Sequence, residues 1–154
     1  MKFFKTLLFL TPFLFVSFAP KQSDKLVWLG WNDGYEKAVK TNKILLVDAY
    51  TDWCGWCKRM DKDTYSNAEV IKKINEYFIP VKFNPEIKDV MYKIDDQTVT
   101  GPQLYGQLSR GESTGYPTVY YVFTKKKSLF LDPGYKDPKA FLQVLDMAIA
   151  ESKK

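Results

Sequence analysis

Cys54 and Cys57 are the only cysteines in the 154-residue chain, three apart in Trp53-Cys54-Gly55-Trp56-Cys57-Lys58. Two thiols at that spacing can attack a disulfide, form a mixed disulfide and then close on each other. The chemistry needs a thiolate near neutral pH. A helix start supplies one, because its unpaired N–H groups and dipole stabilise negative charge on the first cysteine. Cys54 is therefore the expected nucleophile, its sulfur toward solvent, and Cys57 the resolving thiol one turn inward. As a staple the pair would be poor, since the bridge closes almost no loop. Half of a zinc site is the other reading, but the chain has no histidine. The remaining ligands would have to be carboxylates or come from a second chain. The lack of histidine also removes imidazole acid–base catalysis and histidine triads. No metal and no cofactor is expected.

Asp48 lies six residues before Cys54, at the end of the apolar run Ile44-Leu45-Leu46-Val47. Burial there would disfavour its ionised form and bring its pKa toward the range useful in proton transfer. The alternative is an edge-exposed strand residue, which the apolar neighbours argue against.

The elements that must position these groups follow from pattern. Leu26–Leu29 reads as a short strand, and Asp33 as the N-cap of a helix to about Lys40 with Tyr35, Ala38 and Val39 inward. Ile44–Ala49 reads as a central strand, apolar on both faces except at Asp48. The cysteine motif opens a helix to about Thr64. Ser66-Asn67-Ala68-Glu69 has the spacing of a capping box, and starts a helix with Val70, Ile71, Ile74, Tyr77 and Phe78 on one face. Ile79–Phe83 is the next strand. Residues 84–113 are broken by Pro85, Gly101, Pro102, Gly106 and Gly111, with short helical turns expected at Ile87–Ile94 and Pro102–Leu108. Thr118–Phe123 and Ser128–Leu131 form a hairpin across Lys125-Lys126-Lys127. After the Asp132-Pro133-Gly134 break, Asp137-Pro138 opens a terminal helix carrying Phe141, Leu142, Leu145 and Ile149.

Composition sets the frame. The chain is 45% hydrophobic, with eleven Phe and ten Tyr, enough for one domain with a real core. Residues 1–19 have the form of a signal peptide: Lys2 and Lys5, a mostly apolar run from Leu7 to Phe18, then Ser17-Phe18-Ala19. Residues 20–154 are then the folded domain, placed outside the cytoplasm in the periplasm or beyond. An uncleaved membrane anchor is the alternative, but the run is short against the ~20 apolar residues of a spanning helix. Without the leader, which holds two lysines and no acid, net charge falls from +5 to +3. Lysines scattered among acids describe a solvated surface, not a nucleic-acid site.

These residues together resemble the thioredoxin superfamily over most of residues 26–152. The stretch from Ile44 to Lys58 matches its first central strand and active-site turn, and Gly115-Tyr116-Pro117-Thr118 its cis-proline loop. Gly134 and the last helix also match. The Asp-Trp-Cys lead-in is similar to exported thioredoxin-like reductases, among them the C-terminal domain of the membrane disulfide reductase DsbD. The resemblance implies an α/β thioredoxin fold, a central mixed sheet flanked by helices, here with an extended segment before the cis-Pro loop. It implies that Asp48 assists deprotonation of Cys57 through water. Lys82 matches a lysine found near that carboxylate, though a surface strand lysine is the alternative. Tyr116 and Pro117 would sit beside the cysteines, the backbone of Tyr116 pairing with an extended substrate. Trp53 and Trp56 flank the pair as an apolar platform, Trp53 being the better suited to packing. Gly55-Trp56 departs from the Gly-Pro of thioredoxin, and those two residues tune the redox potential.

The expected function is an exported protein-disulfide reductase, monomeric, acting on disulfide-bearing proteins and recharged by a membrane or soluble thiol donor. A binding or chaperone-like module that keeps the fold without essential turnover is the alternative, suggested by the aromatic content and by residues 84–113.

Overall fold

The computed structural model describes residues 25–112 and 114–154. The expected leader at 1–19 and the domain start at residue 20 lie outside them. Chain order runs α1 (Trp31–Thr41), β1 (Ile44–Ala49), α2 (Gly55–Asp63), α3 (Ala68–Tyr77) and β2 (Phe78–Phe83). It continues β3 (Met91–Ile94), β4 (Gln97–Thr100), α4 (Gly101–Leu108), β5 (Thr118–Phe123), β6 (Ser128–Pro133) and α5 (Pro138–Ser152).

The main sheet has the order β2-β1-β5-β6, with β1 parallel to β2 and antiparallel to β5, and β5 antiparallel to β6. β1 is central and every one of its residues is buried. Its neighbours on both sides explain why an almost wholly apolar run was needed there. Even-numbered β1 residues join a core with Met60 of α2, Val70 and Ile74 of α3, and Phe141 and Leu145 of α5. Odd-numbered ones face Trp31 and Ala38 of α1, Tyr92 and Val99 of the β3–β4 hairpin, and Leu104 and Leu108 of α4. This is the mixed α/β sheet flanked by helices that the sequence predicts.

Several boundaries differ from expectation. The strand at Leu26–Leu29 shrinks to a single parallel bridge between Leu29 and Val81, because Gly30 already caps α1. α1 therefore starts two residues before Asp33, and Val39 points outward, 50% exposed. α3 is capped by Asn67, whose side chain accepts from the backbone N–H groups of Glu69 and Val70. Ser66 instead donates its hydroxyl to the Lys62 carbonyl. With Asn67 as cap, Glu69 falls at the second helical position and the Ser66 capping box does not form. Phe78 belongs to β2 and not to the helical stripe, since α3 passes into the strand without a loop.

The larger correction is at Ile87–Ile94. It is not helical: Met91–Ile94 pairs antiparallel with Gln97–Thr100. Asp95, at φ 48°, makes the turn, and the alternation Tyr92 and Val99 inward is a strand period of two. The hairpin is tied to α1 by Trp31 Nε1 donating to the Lys93 carbonyl at 2.8 Å and by Asn32, which bonds both Met91 and Lys93 backbones. The helix at Pro102–Leu108 does form, as α4, closed by a Thr100/Gln103 capping box. Asp137 caps α5 as expected, accepting from the Ala140 N–H at 2.8 Å.

The packing of α1 on β2 leaves no room at Gly34. A Cβ there would stand 2.1 Å from Val81 Cγ2. Gly34→Ala is expected to lower unfolding stability by about 1–3 kcal/mol, the usual range for overpacking a core, as read by urea denaturation. An unchanged midpoint would mean that α1 shifts freely on the sheet.

Candidate active site

β1 ends at Ala49, and the chain turns through Thr51 into α2. Tyr50 N–H bonds the Phe83 carbonyl at 3.0 Å and Cys54 N–H the Thr51 carbonyl at 3.1 Å, which fix the turn to the sheet. Cys54 is the N-cap of α2: its backbone is extended and its sulfur accepts from the Cys57 N–H at 3.1 Å. The sulfur thus occupies the place where a helix start offers donors and positive potential. Cys54 and Cys57 are joined in a disulfide. Cys54 is only 4% exposed, less open than predicted, and Cys57 3%. In this state each sulfur is bonded to the other, so the pair is in its oxidised form.

Asp48 is buried at 1% exposure, which excludes the edge-strand alternative. Its Oδ2 accepts from the Lys82 ammonium, its register neighbour on β2. The same ammonium bonds Asp61 of α2. Lys82 is therefore no plain surface lysine. The rings of Trp28, Tyr50 and Tyr65 stand 4.8, 5.2 and 5.2 Å from its Nζ, a three-sided aromatic cage. Burial raises the Asp48 pKa above the ordinary carboxylate value, with Lys82 opposing. For Lys82 burial pulls downward, but Asp48 and Asp61 outweigh it and the pKa rises. The lysine is held in its charged form, while burial opposes ionisation of the carboxyl beside it.

Asp61, Tyr65, Trp28 and Tyr50 were not singled out from sequence. Asp61 carried a readable signal: it lies four residues after Cys57, hence on the same face of α2. The aromatic cage carried none, because its members come from three separate segments.

Trp53 and Trp56 are 68% and 55% exposed beside the buried sulfurs. Trp53 does not pack inward as expected. Its indole N–H donates to Glu86 at 3.0 Å, and its ring meets Tyr116 edge-on at 5.8 Å. Trp56 lies 5.4 Å from the Tyr135 ring, with the Arg59 guanidinium 5.4 and 5.5 Å from the two ring centres. The Tyr116-Pro117 bond is cis and Pro117 is buried, its carbonyl accepting from Gly134 N–H at 2.8 Å. The described residues include no helix long and apolar enough to cross a membrane.

Comparison with known proteins gives the fold a context. The family model Thioredox_DsbH, described as "Protein of unknown function, DUF255", matches residues 15–148. A 68-residue stretch is 28% identical to the human Spermatogenesis-associated protein 20, covering 44% of this chain and 9% of that protein. The chain thus spans under a tenth of that curated relative. A thioredoxin from Thermus thermophilus superposes with a TM-score of 0.66 at 16% identity, covering 83% of this chain and 90% of that one. DsbH Oxidoreductase gives 0.61 at 14% identity, covering 91% and 95%. The reduced C-terminal domain of Neisseria meningitidis DsbD gives 0.54 at 21% identity, covering 75% and 91%. At these identities the structural likeness speaks to fold.

Proposed function

The chain belongs to the thioredoxin-like family that the Thioredox_DsbH model describes, and from that premise we propose that it is an exported thiol–disulfide oxidoreductase working as a reductant of protein disulfides. The observation that carries the reading is Cys54 at the cap of α2, with the Cys57 N–H on its sulfur.

In the reduced protein the Cys54 thiolate attacks one sulfur of a substrate disulfide, and the other leaves as a thiolate that takes a proton from water. Cys57 then gives its proton to Asp48 and attacks the Cys54 sulfur, which breaks the mixed disulfide, and the departing substrate thiolate takes up a proton in turn. The products are a dithiol substrate and the Cys54–Cys57 disulfide, two electrons having moved to the substrate. A thiol donor must return them. The exposed Trp53 and Trp56, with Tyr116 of the cis Tyr116-Pro117 pair edge-on to Trp53, offer an apolar seat for an extended or unfolded segment. Export rests on the leader-like residues 1–19.

A Cys57→Ser variant tests the exchange step. Reduced and then offered a disulfide-bonded model peptide, it is expected to hold the peptide as a stable adduct on Cys54, seen by mass spectrometry, while wild type releases it. Absence of an adduct would sink the oxidoreductase reading and favour a module without turnover. Direction is read separately from the equilibrium potential with glutathione. A value near about −120 mV would make the protein an oxidant instead.

A further inference from the structure

α4 supports the candidate site at two points one helical turn apart. Gly101, its first residue, stands against Pro85, where a Cβ would come within 2.5 Å of the Pro85 carbonyl oxygen. The next residue in the chain, Glu86, accepts the Trp53 indole N–H at 3.0 Å, and its own N–H bonds the Asn84 side chain at 2.9 Å. Tyr105 lies four residues after Gly101, on the same helical face. Its ring stands 5.6 Å from that of Tyr116, which in turn meets Trp53 edge-on at 5.8 Å. Trp53 is therefore held by Glu86 and Tyr116, and α4 backs both.

Tyr105 is itself tied to the core. Its hydroxyl is hydrogen-bonded to Thr114 Oγ1 at 2.9 Å, and Thr114 Oγ1 to the hydroxyl of the buried Tyr120 at 3.1 Å. The Tyr105 and Tyr120 rings also meet at a right angle, 6.5 Å apart. Thr118 pins the loop between them by donating to the Gly115 carbonyl at 2.9 Å. A path of direct contacts thus runs from Tyr120 through Tyr105 and Tyr116 to Trp53, which is 68% exposed. An exposed indole held in this way is ordered before a substrate arrives, which lowers the entropic cost of binding.

We propose that Tyr105 is a positioning residue for substrate choice: through Tyr116 it sets the Trp53 wall so that the site favours disulfide-bearing segments with an aromatic residue two places from the reacting cysteine. The spacing follows from strand geometry. In an extended segment, residues two apart point the same way and lie about 7 Å from each other. A substrate cysteine directed at Cys54 therefore sends its second neighbours toward the tryptophans on either side. An aromatic side chain there meets the Trp53 ring in a pairing that a polar residue does not make. Tyr105 acts through Tyr116 and takes no part in the exchange of sulfurs. The Trp56 side of the seat rests instead on Arg59 and Tyr135, so removing Tyr105 loosens one wall and leaves the other.

The proposal deepens the oxidoreductase reading and rests on it, but its first measurement needs no turnover. Two peptides with Ser in place of the cysteine, and either Phe or Ser at both second neighbours, are titrated into the oxidised protein. Binding is followed by NMR at the Trp53 indole N–H. Wild type is expected to bind the Phe peptide about threefold to tenfold more tightly, the scale of one aromatic pair. Tyr105→Leu, which keeps an apolar side chain but no ring, should lose most of that preference, and Tyr105→Phe should retain it. Disulfide-linked versions of the peptides are then reduced alongside bis(2-hydroxyethyl) disulfide, which is too small to span the walls. In Tyr105→Leu the loss for the Phe peptide should lie in KM and exceed any loss for the small disulfide by the same factor. A residue that only holds the fold would lower both rates together. Where Tyr105→Leu does not fold, Gly101→Ala disturbs the Pro85 and Glu86 support from the other end of α4 and should give the same selective loss. The proposal is overturned by equal binding of the two peptides to wild type, by a preference untouched in the variant read, or by one lost equally in Tyr105→Phe. If wild type reduces neither disulfide while the Phe preference holds and depends on Tyr105, the oxidoreductase reading falls and the seat stands.

Discussion

Cys54→Ser is expected to bring dithiothreitol-driven insulin reduction down to the uncatalysed rate, a loss of at least about a hundredfold, or about 2.7 kcal/mol of transition-state stabilisation. The loss follows from covalency. The nucleophilic sulfur forms the bond that carries two electrons, and the only other cysteine, Cys57, lies inside α2 and not at its cap. An oxygen at position 54 would accept the Cys57 N–H as the sulfur does, and serine is a good N-cap. The variant should therefore keep its fold. Its unfolding midpoint under reducing conditions is expected within about 0.5 kcal/mol of reduced wild type, the range of a substitution that breaks no packing. That pairing of results separates chemistry from folding. Wild-type rates in the variant would remove Cys54 from the mechanism, whatever its position on α2.

The chemistry of this protein was more legible in sequence than its frame. The cysteine pair and the apolar run before it are legible because each is short and local, a cap and a strand built from neighbouring residues, whereas Tyr116-Pro117 is reached only through the family resemblance. Asp48 was readable because a lone acid in a buried run has few other uses. What sequence missed is non-local. Lys82 is held by Asp61, Trp28, Tyr50 and Tyr65, drawn from α2 and three other places in the chain. No spacing rule links them. The β3–β4 hairpin failed for another reason. The punctuation of residues 84–113 suggested turns, and Asp95-Asp96 was not read as a hairpin turn although Tyr92 and Val99 alternate about it. Its role is to fill the α1 side of the sheet, with Tyr92 packed edge-on to Phe83 at 5.2 Å. The same segment also reaches the site through Glu86, which holds the Trp53 indole. The segment thus fixes the exposed Trp53, one wall of the proposed substrate seat.

Asp48→Asn is expected to slow disulfide reduction at pH 7 by on the order of a hundredfold, the usual scale of a positioned base. The fall should lie in kcat, because Asp48 is buried and the exposed Trp53 and Trp56 that would meet substrate are unchanged. Wild type should have an acid limb set by the raised Asp48 pKa; in the variant that limb should vanish. Stability supplies an independent sign. A carboxyl whose folded pKa lies above its unfolded value near ~3.9 favours the folded state below that value, and the contribution is lost as pH rises through the folded pKa. Wild type should therefore lose stability across that window from this group, while Asn, which cannot ionise, should not. Lys82 keeps Asp61 as its partner in the variant, so its charge is not left unpaired. Urea unfolding from pH 4 to 9 should then give a flatter curve for Asp48→Asn than for wild type, alongside the slower enzyme. A slower enzyme with an unaltered acid limb and an unaltered stability curve would place the proton elsewhere. Slower turnover together with a flatter curve ties both to one carboxyl, buried at a cost in stability because Cys57 requires a base there.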